Sequence, residues 1–390
     1  MISYGKQTID KLDIDAVIEV LQGGWLTQGP YVTTFENDLK NYFGSDYCTV
    51  VSNGTAALHL AGLALGWKED DIILTTPITF LASANCALYS KARPDFVDIN
   101  ATSFNIEPDK LDQKIISLLS QGNNVKAIVA VDYAGNPCDW AALRRIADQY
   151  KLQLINDNCH ALGAEYKGSK GYAIENADIV IQSYPPVKHI TCGEGGAVFT
   201  NNKNLDTKIR TLRSHGMKKD SLMFQENEGS WYYEMQELGY NYRLTDIQSA
   251  LGSSQLKKLD EFVRLRQSIA RLYDHKFSNI DHIQIPCVNS DSSHSYHLYP
   301  LQIEFDKYGL SRKLFFEKMK EAGIILQVHY IPVHLQPYYR EKYGFGPGDY
   351  PVSEKFYSKQ VSLPIYPNLS KSDQIYVIDT LKGILGIENG

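Results

Sequence analysis

A single lysine, Lys188, stands in the stretch SYPPVKHITCGEGGA, behind two prolines and ahead of three glycines. Pro185 and Pro186 restrict the chain before it, while Gly193, Gly195 and Gly196 let the following loop approach a ligand closely. A lysine in so constricted and partly desolvated a frame has its pKa lowered, because burial disfavours the ammonium. The neutral amine it then offers can attack an aldehyde and form a Schiff base. Asp157 ends the apolar run LQLIND, where a carboxylate needs a cation opposite it, such as a protonated ring nitrogen. The turn SNGTAAL, residues 52–58, passes from a strand into a helix, and bare N–H groups there make a seat for phosphate. Each signal has a plainer reading: a surface lysine, a strand-end aspartate capping a turn, a glycine-assisted tight turn. Their order along one chain is what pyridoxal 5'-phosphate requires: phosphate seat, acid and Schiff-base lysine. Phe80, in TTPITFLASAN, is placed to cover the ring.

These residues need a scaffold that brings strand ends together. Apolar runs read as strands at YCTVV, DIILTT, PDFVDI, VKAIVAV, LQLIND and DIVIQS. Amphipathic segments lie between them: GTAALHLAGLALG, FLASANCALYS, EPDKLDQKIISLLS and CDWAALRRIADQY. Continuous apolar strands alternating with helices predict an α/β fold, a mostly parallel sheet flanked by helices. Ligands in such folds sit beyond the carboxyl ends of the strands. Residues 1–243 are expected to form this large domain with an N-terminal arm. A linking helix is expected at 244–278, read as one long stretch. A small α+β C-terminal domain is expected at 279–390, with NSDSSHS a loop, HLYPLQIEF and ILQVHY strands, and a closing helix near SDQIYVIDTLKGIL.

The 390 residues carry 39 basic and 45 acidic side chains, a net charge of −6, with no dense basic block. Nucleic acid is therefore not an expected partner. No run of about 18 apolar residues predicts a membrane span, and the start MISYGKQTID has no signal-peptide pattern. Six cysteines without a C-x-x-C pair fit reduced thiols in the cytoplasm. His294 and His297 share an H-x-x-H spacing without a following glutamate, so they read as a loop and a strand residue and no metal is expected. The 26 tyrosines cluster in WYYE, GYNY, HLYP and PYYREKYG, either as a phenol-lined ligand surface or as boundary packing.

SNGTAALHLA, TTPITFLASAN, NDNCHALGAEY, SYPPVKHITCGEGGAVFTN, RSHGM and LGYNYRLTDIQSALG together resemble the DegT/StrS sugar-nucleotide aminotransferases, of the type I aminotransferase fold. The likeness runs from about Tyr4 to the last helix. VDYAG and QVHYIPVH bring it nearest the members of pseudaminic acid biosynthesis. It implies transfer of an amino group from L-glutamate to a UDP-linked 4-keto-6-deoxy-N-acetylhexosamine, with pyridoxal 5'-phosphate as cofactor. Lys188 would hold the cofactor aldehyde, Asp157 would pair with the pyridine nitrogen, and His160 would lie near the ring. Gly54, Thr55, Ala56 and Ser183 would hold the phosphate. Asn241 would reach the cofactor of a second subunit, since the family's sites lie at a homodimer interface. Tyr4, Gly24, Trp25, Leu26, Thr27, Gln327, Val328, His329, Tyr330 and Tyr339 match positions that contact the nucleotide sugar. The family often has an aromatic-His-Pro run before the lysine, and here Tyr184, Pro185 and Pro186 stand instead, so one local hydrogen bond is in question. Relatives that act as 3-dehydratases have histidine in the lysine's place, and Lys188 argues against that activity. Another keto sugar, a pyridoxal dehydratase or lyase, and a regulatory binder remain as alternatives.

Overall fold

In the computed structural model, residues 1–218, 226, 228–288 and 290–388 are described. A seven-stranded sheet organises the first two thirds of the chain. Its spatial order is Tyr47–Val51, Gly196–Thr200, Ile179–Ser183, Gln153–Asp157, Asn124–Val131, Asp71–Thr75 and Arg93–Phe96. Four pairings are parallel and two antiparallel, because Gly196–Thr200 alone runs against its neighbours. Side chains alternate between two buried faces. Val50, Ile128, Ala130 and Leu154 join one core cluster, and Val51, Ala127, Val129 and Ile155 join the other. Burial on both sides is why these strands read as unbroken apolar runs.

Helices cover both faces. Gly54–Ala64 opens with the Asn53 side chain accepting the Ala56 N–H at 2.8 Å, which satisfies one bare donor of the first turn. Pro108–Ser120 and Trp140–Tyr150 stand where the amphipathic segments predict them. The stretch expected as one helix is two, Asp246–Leu256 and Leu259–Phe277. No glycine or proline marks the break. At the junction, Lys258 Nζ reaches the fully buried Asp13 carboxylate at 2.6 Å and Asp10 at 2.9 Å. That ion pair, between residues far apart in sequence, holds the bend. Asp10 and Asp13 also form a capping box on helix Lys11–Gln22, which had no reading from the sequence.

The C-terminal part packs helices Arg312–Glu321 and Lys371–Leu385 on an antiparallel sheet of Ile283–Gln284, Tyr299–Ile303 and Gln360–Leu363. Of ILQVHY only Ile325 lies in a strand, the two-residue Ile324–Ile325, which pairs in parallel with Ile2–Ser3. The start of the arm is thus packed with the C-terminal part, and Tyr4 follows directly. NSDSSHS is not wholly a loop: Ser292–Ser293 pair with Glu165–Tyr166, and Asn289 lies outside the described residues. No helix among the described residues is long and apolar enough to cross a membrane.

Candidate active site

Three loops at the strand ends converge on one cavity of about 370 Å³. Asn53, Gly54 and Thr55 follow the first strand, Asp157 closes the fourth, and Ser183 closes the third. Their approach is too tight for side chains at two positions. A Cβ on Gly54 would lie 2.7 Å from Ser183 Cβ, and one on Gly196 would lie 2.5 Å from the Asn53 carbonyl carbon. The Lys188 loop is pinned at its base by Tyr184. The Tyr184 N–H donates to Gly195 O at 2.8 Å, and its own carbonyl accepts from Cys192 N at 3.0 Å and Thr191 Oγ1 at 3.1 Å. Its ring is fully buried against Phe35. A further turn, Lys188 N to Pro185 O at 3.1 Å, points the lysine back into the cavity wall.

Lys188 is half-buried and keeps part of its surface open to the cavity. Burial lowers its pKa to about 8, against the opposing pull of Cys159 and Asp157. Asp157 is 5% exposed and doubly held. Ser83 Oγ donates to its Oδ2 at 2.6 Å, and the Cys159 N–H donates to its Oδ1 at 3.3 Å. Thr79 Oγ1 in turn lies 2.7 Å from Ser83 Oγ. His160 Nδ1 accepts the Ala134 N–H at 3.3 Å, so the neutral ring carries its proton on Nε2 and donates to Tyr330 Oη at 3.0 Å. Burial drives the His160 pKa well down and that of His329 to about 3, with Lys188 adding to both shifts. His329 Nδ1 meets Ser362 Oγ at 2.8 Å, and Tyr133 Oη donates to the His329 carbonyl at 2.5 Å.

Of the residues expected from sequence, Tyr4, Gly54, Thr55, Phe80, Asp157, His160, Ser183, Lys188, His329 and Tyr330 line this cavity. Phe80 is 54% exposed at its mouth, with its ring centroid 6.1 Å from that of Tyr330. Ala56 lies one step behind the wall, in a neighbouring depression. Gly24, Trp25, Leu26 and Thr27 form an exposed loop outside the cavity, anchored by a bridge from Thr27 to Thr245. Asn241 is also exposed and outside it. Gln327 bridges to Ser362, and neither it nor Val328 lines the cavity. Tyr339 does not line it either; its ring packs on Phe96 and its hydroxyl donates to Asn85 at 2.7 Å. His297 is not a strand residue but sits in the bend before Tyr299–Ile303, and it lines the cavity. Sequence reasoning also missed Ser83, whose hydroxyl meets Asp157 only across 74 positions of chain, and Thr79, whose hydroxyl pairs with that of Ser83.

These residues fit pyridoxal phosphate: a glycine-cradled helix start, a buried carboxylate and a low-pKa lysine share one pocket of suitable size. A model of the DegT/DnrJ/EryC1/StrS aminotransferase family matches residues 7–382. The chain belongs to that family. It is 40% identical over 377 residues to the uncharacterized protein MJ1066 of Methanocaldococcus jannaschii, covering 97% of this chain and 96% of the relative. It is 40% identical over 385 residues to the UDP-4-amino-4,6-dideoxy-N-acetyl-β-L-altrosamine transaminase of Campylobacter jejuni, covering 99% and 98%. Helicobacter pylori PseC, an aminotransferase involved in pseudaminic acid biosynthesis, superimposes with a TM-score of 0.89 at 32% identity, covering 99% of both chains. Family membership makes the chain a sugar aminotransferase with pyridoxal 5'-phosphate as its cofactor. Solved neighbours include PLP and PMP forms.

Proposed function

We propose that the protein moves the amino group of L-glutamate to C4 of UDP-2-acetamido-2,6-dideoxy-β-L-arabino-hex-4-ulose, a step of pseudaminic acid biosynthesis. The observation that carries this reading is Lys188 and Asp157 in one cavity, in a chain alike over its whole length to an altrosamine transaminase. Gly54, Thr55 and Ala56 at the helix start, with Ser183, would hold the phosphate. Asp157 would pair with the pyridine nitrogen and favour its protonated form, while Ser83 and the Cys159 N–H keep the carboxylate aimed. Bound there, pyridoxal phosphate supplies the electron sink for carbanion charge. Lys188 Nζ would hold the cofactor aldehyde, and its free amine would serve as the base toward the carbon that bears the donor's amino group. His160 steadies Tyr330, whose hydroxyl, with Tyr4 and His329, faces the sugar. Phe80, at the cavity mouth, would cover one face of the ring.

The exposed Trp25 loop and Asn241 serve a second subunit of a homodimer: Gly24 to Thr27 contact its nucleotide sugar and Asn241 its cofactor phosphate. Exposed apolar side chains at Leu12, Ile18, Leu21, Trp25 and Leu26 support that packing. Six unpaired cysteines support a cytoplasmic setting. The purified protein, loaded with cofactor and given L-glutamate and this keto sugar, should release 2-oxoglutarate. Its C5 epimer should give none. Turnover only with another 4-keto nucleotide sugar would discard the pathway and keep the chemistry. No release with any keto sugar would refute the proposed reaction.

A further inference from the structure

Arg266 is a large cation buried beside the cavity without a counter-ion. It sits on helix Leu259–Phe277 and is 0% exposed. Nη1 donates to the carbonyls of Ile365 at 2.9 Å, Tyr296 at 3.1 Å and His297 at 3.3 Å, while Nη2 lies 3.5 Å from the Lys188 carbonyl. No carboxylate among the described residues pairs with it, and its Nε is buried without a partner. Backbone carbonyls could be bridged by a neutral donor at far lower desolvation cost, so an unpaired guanidinium here calls for a use of its charge. The charge stands directly behind the Lys188–His189 backbone and the His297 wall.

We propose that Arg266 is a positioning residue that holds the Lys188 and His297 walls of the cavity together and, by its uncompensated charge, favours the uncharged amine of Lys188. This rests on Lys188 being the cofactor lysine. On one side of that amine the Asp157 carboxylate favours the ammonium, while burial holds Cys159 as an uncharged thiol. His160, His189, His297 and His329 face it as well, each kept neutral by burial. Arg266 is a cation behind the Lys188 backbone, and its charge opposes the pull of the Asp157 carboxylate on that amine. Burial draws the Arg266 pKa down to about 9, so the guanidinium keeps its charge at neutral pH.

The test titrates the absorbance of the lysine-bound cofactor with pH in the cofactor-loaded full chain, for wild type, R266Q and R266K. Borohydride reduction and peptide mapping first establish which lysine carries the cofactor. R266Q should raise the spectral midpoint by about one pH unit, a tenfold change in proton affinity, while R266K stays within about 0.3. Loss of thermal stability in R266Q with an unmoved midpoint would make Arg266 a structural clip and overturn the proposal. Reduction that marks another lysine would instead remove the functional reading of Lys188 on which the proposal stands. R266M serves as the second neutral variant if R266Q does not fold.

Discussion

Replacing His294 by asparagine separates one buried imidazole from all other titrations in the protein. His294 is 3% exposed, its ring stacks on Tyr296 at 3.9 Å, and its Nδ1 accepts the Tyr296 N–H at 2.8 Å. Burial pushes its pKa from 6.5 down to about 3. A native value below the unfolded one means that the unfolded chain binds more protons between them. Stability therefore rises with pH across that window and drains away as pH falls from 6.5 toward 3. At pH 5 protonation of the unfolded imidazole costs about 2 kcal/mol, against roughly 0.2 kcal/mol at pH 7. Asparagine keeps an acceptor near the Nδ1 position and cannot ionise, so H294N should lose about 1.8 kcal/mol less than wild type between pH 7 and pH 5. Urea unfolding of both chains at the two pH values measures that difference, in which lost stacking cancels. Equal losses in the two chains would refute the reasoning.

Ser83→Ala removes the Asp157 Oδ2 donor, and turnover should fall by roughly ten- to a hundredfold, the worth of one hydrogen bond to a charged group. Unchanged kinetics would detach Ser83 from the site. Lys258→Met leaves the Asp13 carboxylate without its cation and should cost about 3 kcal/mol in urea unfolding at pH 7, a prediction that fails at less than 1 kcal/mol. Gly196→Ala drives a Cβ against the Asn53 backbone and should lower stability by about 2 kcal/mol or more while weakening cofactor retention. Wild-type retention measured by absorbance after gel filtration would show that the turn yields freely. Lys188→Ala should abolish both the lysine-bound cofactor absorbance and turnover by several orders of magnitude; near-normal turnover would refute its assignment.

The strands and their parallel order were legible because burial on both faces leaves a continuous apolar run at each, as in NVKAIVAV. The chemistry was legible for a similar reason. Lys188, Asp157 and the Asn53–Thr55 turn each sit in a local context whose constraint is written in neighbouring residues: prolines, a strand end, a capped glycine turn. Gly196–Thr200 escaped notice because its glycines read as loop, although it is a sheet strand pressed against Asn53. Nothing local distinguishes Lys257–Lys258 from the helices on either side, so the bend depends on Asp13, some 245 residues away. The same holds for Ser83 beneath Asp157, for His297 on the wall and for Arg266 behind the lysine. Sequence alone determined which groups could do the chemistry and the type of sheet that would carry them, since both follow from local periodicity and turn geometry. Which hydroxyls, imidazoles and buried charges surround those groups was decided only by tertiary packing, because desolvation and long-range hydrogen bonds exist only once distant segments meet.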